Sequence, residues 1–380
     1  MRITLLGPVH PYRGGISHFN TRLAIELKNA GHEVQVISFS RQYPSWLYPG
    51  KTDKDPSKEY LHVEAEYILD PLYSWTWLRA YNTIRAWKPE LILIQWWTTF
   101  WAPAFATLSF MLRRTHLTVV YIIHNVTPHE KKWFDEWLAK SALCQGNQLI
   151  VLSNREKTRL LNLLPHANVR ETNLPNYDFF IPERYNLISA RQKLNLPLEL
   201  PIALFFGIVR PYKGLYNTIR AIAILRNKGI NIKLIVAGEF WEDINYYLNL
   251  IHELELESNV IIENRYIPNE SVSLYFSSAD FLLAPYSEGT QSGVIGIAIQ
   301  HGLPIITTPH IIDGIDLELV EIPIQIIPPK NEEHLANAIE KWALSTTQLR
   351  NQRTKGKTNC EWQNLVSYII ESVSYSEYCN

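Results

Sequence analysis

The chain has 380 residues, 46% of them hydrophobic and 19% charged, which is enough for two or three domains whose cores need no metal or disulfide staple. Lys and Arg number 36 and Asp and Glu 37, a net charge of −1 that argues against a general nucleic-acid binder. The three scattered cysteines, Cys144, Cys360 and Cys379, read as free thiols in a reducing compartment and not as a disulfide framework.

Short β-branched runs alternate with helical periods from the first residue. Ile3–Gly7 reads as a buried strand and Pro11–Gly15 as a glycine-rich turn. Phe19, Leu23, Ala24 and Leu27 then recur at helical spacing, and Gly31 is placed to stop that helix. Val34–Phe39, Leu91–Gln95, Val119–Ile123 and Leu149–Ser153 follow as strands. Segment 172–201, rich in Asn and Pro, reads as a linker. The rhythm restarts beyond it, with strands Ile202–Gly207, Ile232–Ala237, Val260–Glu263, Phe281–Pro285 and Pro304–Thr307. Helices over Tyr216–Leu225, Asp243–Leu254 and Glu270–Ser277, and one starting near Ser292, alternate with them. The tail, 358–373, is helical in period through Trp362, Leu365, Ile369 and Ile370.

This pattern predicts an α/β chain of two doubly wound domains, 1–185 and 186–357, with 358–380 a C-terminal helix that packs back on the first. The absence of a short repeat excludes a solenoid. No apolar run reaches the roughly 18 residues of a spanning helix. The opening, MRITLLGPVHPYRGG, lacks the apolar stretch of a signal peptide, so a cytoplasmic chain is expected. Three aromatic clusters, YPSWLY (43–48), LYSWTW (72–77) and WWTTFW (96–101), read first as core or loop packing. The sharper alternative for them is an interfacial membrane contact or a sugar platform.

Ligands of open parallel sheets bind beyond the carboxyl ends of the strands, so the turns after strands hold the candidates. GPVHPYRGGIS (7–17) places Gly14 and Gly15 before a helix, where the backbone can approach an anion. In FFGIVRPYKGL (205–215), Arg210 and Lys213 stand just before a helix whose dipole repels them, a conflict that a bound diphosphate resolves. In LLAPYSEGTQSGVIGIAIQHGLPII (282–306), Gln291, Ser292 and Gly293 offer N–H groups at a helix start, with Glu288 upstream. In YIIHNVTPHE (121–130), His124 ends a strand, and His129 and Glu130 are weaker candidates. Against each stands a plainer reading: a tight turn, a solvated basic loop, a helix cap, and a structural histidine with its bonds made. No zinc spacing, nucleophile elbow, Walker loop or G-x-G-x-x-G occurs. No Asp-x-Asp pair, the usual carboxylate pair for a metal–nucleotide–sugar complex, is read in the chain, and DGID (313–316) has the wrong spacing and the wrong place. No metal and no cofactor are therefore expected.

Together GPVHPYRGGIS, GIVRPYKGL and ADFLLAPYSEGTQSGVIGIAIQHGLPII, with VAGEFW (236–241) and YIPNESVSLYFSSAD (266–280), resemble the family 4 retaining glycosyltransferases of GT-B fold, also called glycosyl transferases group 1. The resemblance spans essentially the whole chain. It implies two Rossmann-like domains facing a cleft, with a nucleotide-diphosphate sugar, UDP- or GDP-linked, held mainly by the second. By motif position Arg210 and Lys213 bind the donor diphosphate, Gly14 and Gly15 close over it, and His124 touches the donor sugar. Gln291, Ser292, Gly293 and Val294 complete the donor site. Glu288 is the first carboxylate of the family's E-x7-E motif. Thr290–Val294 is a T-Q-S-G-V variant of that block, and Gly296 stands where the second carboxylate would be.

The resemblance implies transfer of a hexose with retention, independent of metal, to a saccharide or polyprenyl-linked saccharide, with a membrane surface at the inner face as a further partner and no nucleic acid. Two other readings are a sugar-nucleotide 2-epimerase, which needs acid/base groups around the sugar, and a non-catalytic sugar-nucleotide-binding protein. Free nucleoside diphosphate after incubation with nucleotide sugars discriminates all three.

Overall fold

The structure, a computed structural model, describes the chain except residues 59, 129–131, 176–184, 290–291, 314, 316, 318–319, 352, 354–360 and 375–380. The chain divides into unit 1 (Met1–Asp55, Tyr60–Pro175, Cys360–Asn380) and unit 2 (Pro56–Glu59, Asn176–Asn359).

Unit 1 runs β1 (Arg2–Leu6), α1 (Gly15–Asn29), β2 (Glu33–Phe39), β3 (Glu66–Leu69), α2 (Ser74–Trp87), β4 (Leu91–Trp96), α3 (Ala102–Arg113), β5 (Thr118–Ile123), α4 (Asp135–Leu143), β6 (Gln148–Val151), α5 (Asn154–Leu163) and β7 (Val169–Glu171). The strands form one parallel sheet in the order β3-β2-β1-β4-β5-β6-β7. β4 is buried along its whole length, as a central strand covered on both faces must be. α1 turns Phe19, Leu23, Ala24 and Leu27 inward, each fully buried, and such burial stabilises by about 1.5–3 kcal/mol for each large side chain. Gly31 takes a φ of 84° just past that helix, the left-handed conformation of a C′ glycine.

Unit 2 runs α6 (Leu187–Lys193), β8 (Ile202–Phe206), α7 (Leu215–Asn227), β9 (Lys233–Ala237), α8 (Ile244–Glu253), β10 (Val260–Glu263), α9 (Asn269–Ser278), β11 (Phe281–Ala284), α10 (Gly293–Gln300), β12 (Ile305–Thr307), β13 (Ile324–Ile326), α11 (Glu332–Ala343) and α12 (Thr346–Asn351). Its sheet, again parallel throughout, has the order β10-β9-β8-β11-β12-β13. The final helix, α13 (Glu361–Ser374), belongs to unit 1, where Trp362 packs on Phe19 with ring centroids 5.3 Å apart.

Two corrections to the sequence reading concern irregular segments. Segment 172–201 is not all linker, because it contains α6, and its stretch 176–184 lies outside the described residues. α6 is fixed by tertiary chemistry. The buried Arg191 donates to the carbonyls of Pro197, Leu198, Leu200 and Ser278 and pairs with the buried Asp280 at 2.7 Å. The strands β3, β7 and β13 are absent from the sequence reading because each is short and partly exposed, so no continuous apolar run marks it. Among the aromatic clusters, WWTTFW is core, with Trp96 and Trp101 fully buried. In the other two, Trp46 is 78% and Trp75 62% exposed.

Candidate active site

Both sheets are doubly wound, and each has a point where the chain order reverses. In unit 2 the chain runs from β8 outward to β10, then crosses to β11 and runs outward the other way. The reversal therefore lies between neighbouring β8 and β11, and the connections after these two strands diverge there to leave a crevice. Those connections carry Arg210 and Lys213 on one side and Glu288 and Ser292 on the other.

The two connections are clamped together by close backbone contacts. Gly214, at φ 80°, has no room for a side chain, because a Cβ would stand 2.5 Å from the Pro285 carbonyl oxygen. The Ser287 amide donates to the Tyr212 carbonyl at 2.7 Å, and the Ser287 hydroxyl donates to the same oxygen at 3.2 Å. Gly238 shows the same constraint from β9, since a Cβ there would meet the Gly207 carbonyl at 2.0 Å.

Lys213 is the distinctive charge of this crevice. It is buried, and among the described residues no carboxylate pairs with its ammonium. Burial pulls its pKa down, Tyr212 opposes that shift, and Arg210 adds to it. Its Nζ lies 3.3 Å from where a Gly207 Cβ would stand, and Val294 Cγ2 lies 3.5 Å from the same point. The ammonium and the first turn of α10 thus converge on one spot.

α10 begins at Gly293 with no side-chain cap and no acidic residue in its first turn. The plainer reading of Ser292 as a helix cap is thereby corrected, because its side chain makes no capping hydrogen bond. Uncapped N–H groups beside a buried cation form an anion cradle. Arg210 is half-buried, its guanidinium 5.3 Å from the centre of the Trp241 ring, and the Trp241 N–H donates to the buried Glu239 at 3.0 Å.

Glu288 is exposed and, among the described residues, has no hydrogen-bond or ion-pair partner. Gly296 is buried within α10, so no surface position replaces the second carboxylate there. Gln291 lies outside the described residues, as do Thr290, His129 and Glu130.

Unit 1 reverses between β1 and β4. Gly14, at φ 105°, is the uncapped start of α1, and a Cβ there would meet nothing within 4 Å, so this loop is held open by conformation and not by packing. Gly15 is exposed beside it. Gly7 is the close-packed glycine of the loop, where a Cβ would stand 2.8 Å from Gln95 Cγ. His124 ends β5 next to these residues. Its Nε2 lies 2.8 Å from Gln95 Oε1, and its ring stands edge-on to Phe19 at 4.8 Å. Burial pushes its pKa down to about 3, so the imidazole is neutral at any physiological pH and cannot act as a cationic acid.

The expectation that no Asp-x-Asp pair occurs is corrected: Asp53-Lys54-Asp55 is one, in the loop that follows the first turn and not at a strand end. It braces the first loop, with the Asp53 carbonyl accepting from the Arg13 amide at 3.0 Å. Asp55 lies 3.6 Å from His18 and the Lys54 ammonium sits 3.4 Å over the Tyr12 ring. Among the described residues no group of three His, Cys, Asp or Glu side chains could hold a metal ion.

The residues missed by sequence reasoning are Tyr286, Trp241, Glu239 and Gln95. Tyr286 and Trp241 lie inside recognised motifs, but nothing in residue type or spacing shows which side chain each one supports.

Residues 13–171 match the family Glycosyltransferase Family 4, and residues 200–344 match the family Glycosyl transferases group 1. Among curated proteins none matches the chain. Among solved structures, the Anabaena protein HepE in complex with UDP and glucose superposes with a TM-score of 0.73 at 15% identity, covering 99% of this chain and 100% of that one. Sucrose-phosphate synthase from Thermosynechococcus elongatus gives 0.72 at 18% identity over 100% and 98% of the two chains. The catalytic domain of starch synthase IV from Arabidopsis thaliana, bound to ADP and acarbose, gives 0.71 at 14% identity over 99% of each. The fold is that of the two-domain GT-B enzymes, and both halves of the chain match glycosyltransferase families.

Proposed function

We propose, from a GT-B fold with glycosyltransferase matches in both halves, that this protein moves a hexose from a nucleotide-diphosphate sugar to an alcohol acceptor, with retention and without a metal. The observation that carries the reading is Lys213, a buried ammonium without a carboxylate partner among the described residues, facing the uncapped start of α10 at the reversal point of the sheet. A diphosphate supplies the missing negative charge. HepE binds UDP and glucose, and starch synthase IV binds ADP, which supports a nucleotide-sugar donor.

In this reading the bond from the sugar's anomeric carbon to the diphosphate breaks while a bond from the acceptor oxygen forms on the same face. The acceptor's proton passes to the departing phosphate. Lys213, Arg210 and the N–H groups of Ser292, Gly293 and Val294 stabilise the charge that develops on the leaving group, and fixed donors of this kind take the place of a metal ion. Glu288 accepts hydrogen bonds from sugar hydroxyls, a contact open to it because the exposed carboxylate is not engaged elsewhere among the described residues. Gly14 and Gly15 close over the donor, and neutral His124 contributes a hydrogen bond to the sugar.

The test is incubation with several nucleotide sugars and saccharide acceptors, with and without EDTA. Release of nucleoside diphosphate, unchanged by EDTA, is expected. Epimerisation without diphosphate release contradicts the reading, and a strict Mn²⁺ or Mg²⁺ requirement contradicts its metal independence. Glu288→Gln is expected to lower transfer by roughly 100-fold with an unchanged melting temperature, as loss of a bond that tightens in the transition state does. Near wild-type transfer would remove Glu288 from the site.

A lipid-linked acceptor at the inner face of a membrane fits the exposed tryptophans of unit 1. Trp133, just before α4, is 92% exposed and Trp137, in its first turn, 70%, in addition to Trp46 and Trp75. Tryptophan favours the lipid–water interface. No helix among the described residues is long and apolar enough to cross a membrane, so the contact would be peripheral. Flotation with anionic liposomes is expected to carry the protein, and Trp133→Ser with Trp137→Ser to release it. Absence of flotation at low salt points to a water-soluble acceptor.

A further inference from the structure

Tyr286 lies inside a motif that assigns it no role, yet it touches the anion cradle. It follows β11, with its carbonyl accepting from the Thr308 hydroxyl at 2.6 Å, so its backbone is fixed against the strand end of β12. Its ring centre lies 5.3 Å from the Lys213 ammonium, and the Tyr212 ring meets it edge-on at 5.9 Å. Its hydroxyl is on the side of Ser292, the residue before the first turn of α10, whose side chain pulls the phenol's pKa down against the effect of burial.

We propose that Tyr286 is a positioning residue of the anion cradle: its ring face holds the Lys213 ammonium charged and aimed at the start of α10. The inference rests on the reading of this crevice as a diphosphate site and adds to it the group that keeps the lysine ready.

A buried ammonium must be compensated or it loses its proton. The titratable groups facing Lys213 are Arg210 and Tyr212 on its own connection and Tyr286 from the β11 side. Gly207 at the end of β8 and Val294 on α10, which approach the same spot, carry no charge. Arg210 opposes the charged form, and Tyr212 is a phenol. The negative face of the Tyr286 ring is therefore a main attraction available to the ammonium, and a desolvated cation–aromatic contact is among the stronger ones of its kind. Burial pushes the Tyr286 hydroxyl up to about 12, so the ring remains a neutral phenol across the working pH range.

Two measurements on the full chain test this. The first is the pH dependence of acetic-anhydride labelling at Lys213, read by mass spectrometry in the absence of any ligand. The second is calorimetric titration with inorganic pyrophosphate, a probe that omits base and sugar. Tyr286→Leu removes the ring face. Its Lys213 labelling midpoint is expected to fall by about one pH unit, and pyrophosphate binding at pH 8 to weaken about tenfold, the size of a desolvated cation–aromatic contact. Tyr286→Phe keeps the ring and is expected to restore the labelling midpoint.

A midpoint in Tyr286→Leu equal to that of the wild type overturns the proposal, as does a fall of the same size in Tyr286→Phe. If Tyr286→Leu does not fold, Tyr286→Met, which fills more of the ring's volume, is read in the same way. Failure of the wild type to bind pyrophosphate would sink the diphosphate reading itself. The labelling midpoints, taken without ligand, would still decide whether Tyr286 governs Lys213.

Discussion

Lys213→Ala is expected to lower sugar transfer by about 3 kcal/mol of transition-state stabilisation, somewhat more than 100-fold, as removal of one preorganised donor does. The departing diphosphate gains charge as the sugar bond breaks, and an ammonium already fixed in a buried site needs no reorganisation to meet it. The same substitution is expected to leave the ligand-free melting temperature unchanged or to raise it. A buried cation without a carboxylate partner costs the fold stability, and its removal relieves that cost. The sign of its pH dependence follows from the same fact. The folded protein binds the Lys213 proton less tightly than the unfolded chain, so between the two pKa values the ligand-free wild type gains stability as pH rises. Thermal melts paired with initial rates read both effects. Near wild-type transfer, or a large loss of stability, would return Lys213 to a structural role.

Asp280→Asn is expected to act in the opposite sense, on the fold and not on the chemistry. Asp280 sits at the amino end of β11, away from the crevice, and joins three parts of unit 2. It accepts from Arg191 at 2.7 Å and from Arg350 at 2.7 Å, and its Oδ2 accepts from the Ile202 amide at 2.7 Å. Arg191 and Asp280 are both fully buried at the side chain. Burial also lowers Arg353, beside the same carboxylate, to about 10. With the carboxylate gone, buried guanidinium groups keep their desolvation penalty and lose their counter-charge. Breaking a buried pair from one side costs about 3–5 kcal/mol. At 2–4 °C for each kcal/mol in a unit of this size, melting should fall by roughly 10 °C. A shift under about 2 °C would show that the carbonyls around the arginines, rather than Asp280, hold α6 and α12 in place.

The sequence showed its parallel core strands clearly, because central strands of a sheet covered on both faces are continuous apolar runs. Val260–Glu263 is found with the same ends in sequence and structure. That strand is at a sheet edge and was legible because it is apolar, whereas the edge strand β7, Val169–Glu171, is polar and half-exposed and was not. Composition could not tell the three aromatic clusters apart. Trp101 and Trp46 occur in similar aromatic settings, and only the packing of α3 against β4 and β5 buries the first. At the crevice, the placing of Arg210, Lys213 and Ser292 was readable because turns that follow parallel strands lie at the carboxyl edge of the sheet. Tyr286 was not, because its role depends on which loop lies across from it, and that is a property of strand order.

The account rests on the claim that the crevice between β8 and β11 holds a diphosphate. A crystal structure of the protein soaked with UDP, GDP or ADP tests this most directly. The account predicts a diphosphate with one phosphate oxygen within hydrogen-bond distance of Lys213 Nζ and another on the N–H groups of Gly293 and Val294. A nucleotide bound at full occupancy elsewhere, with Lys213 still resting on Tyr286 and no anion at the start of α10, would contradict it.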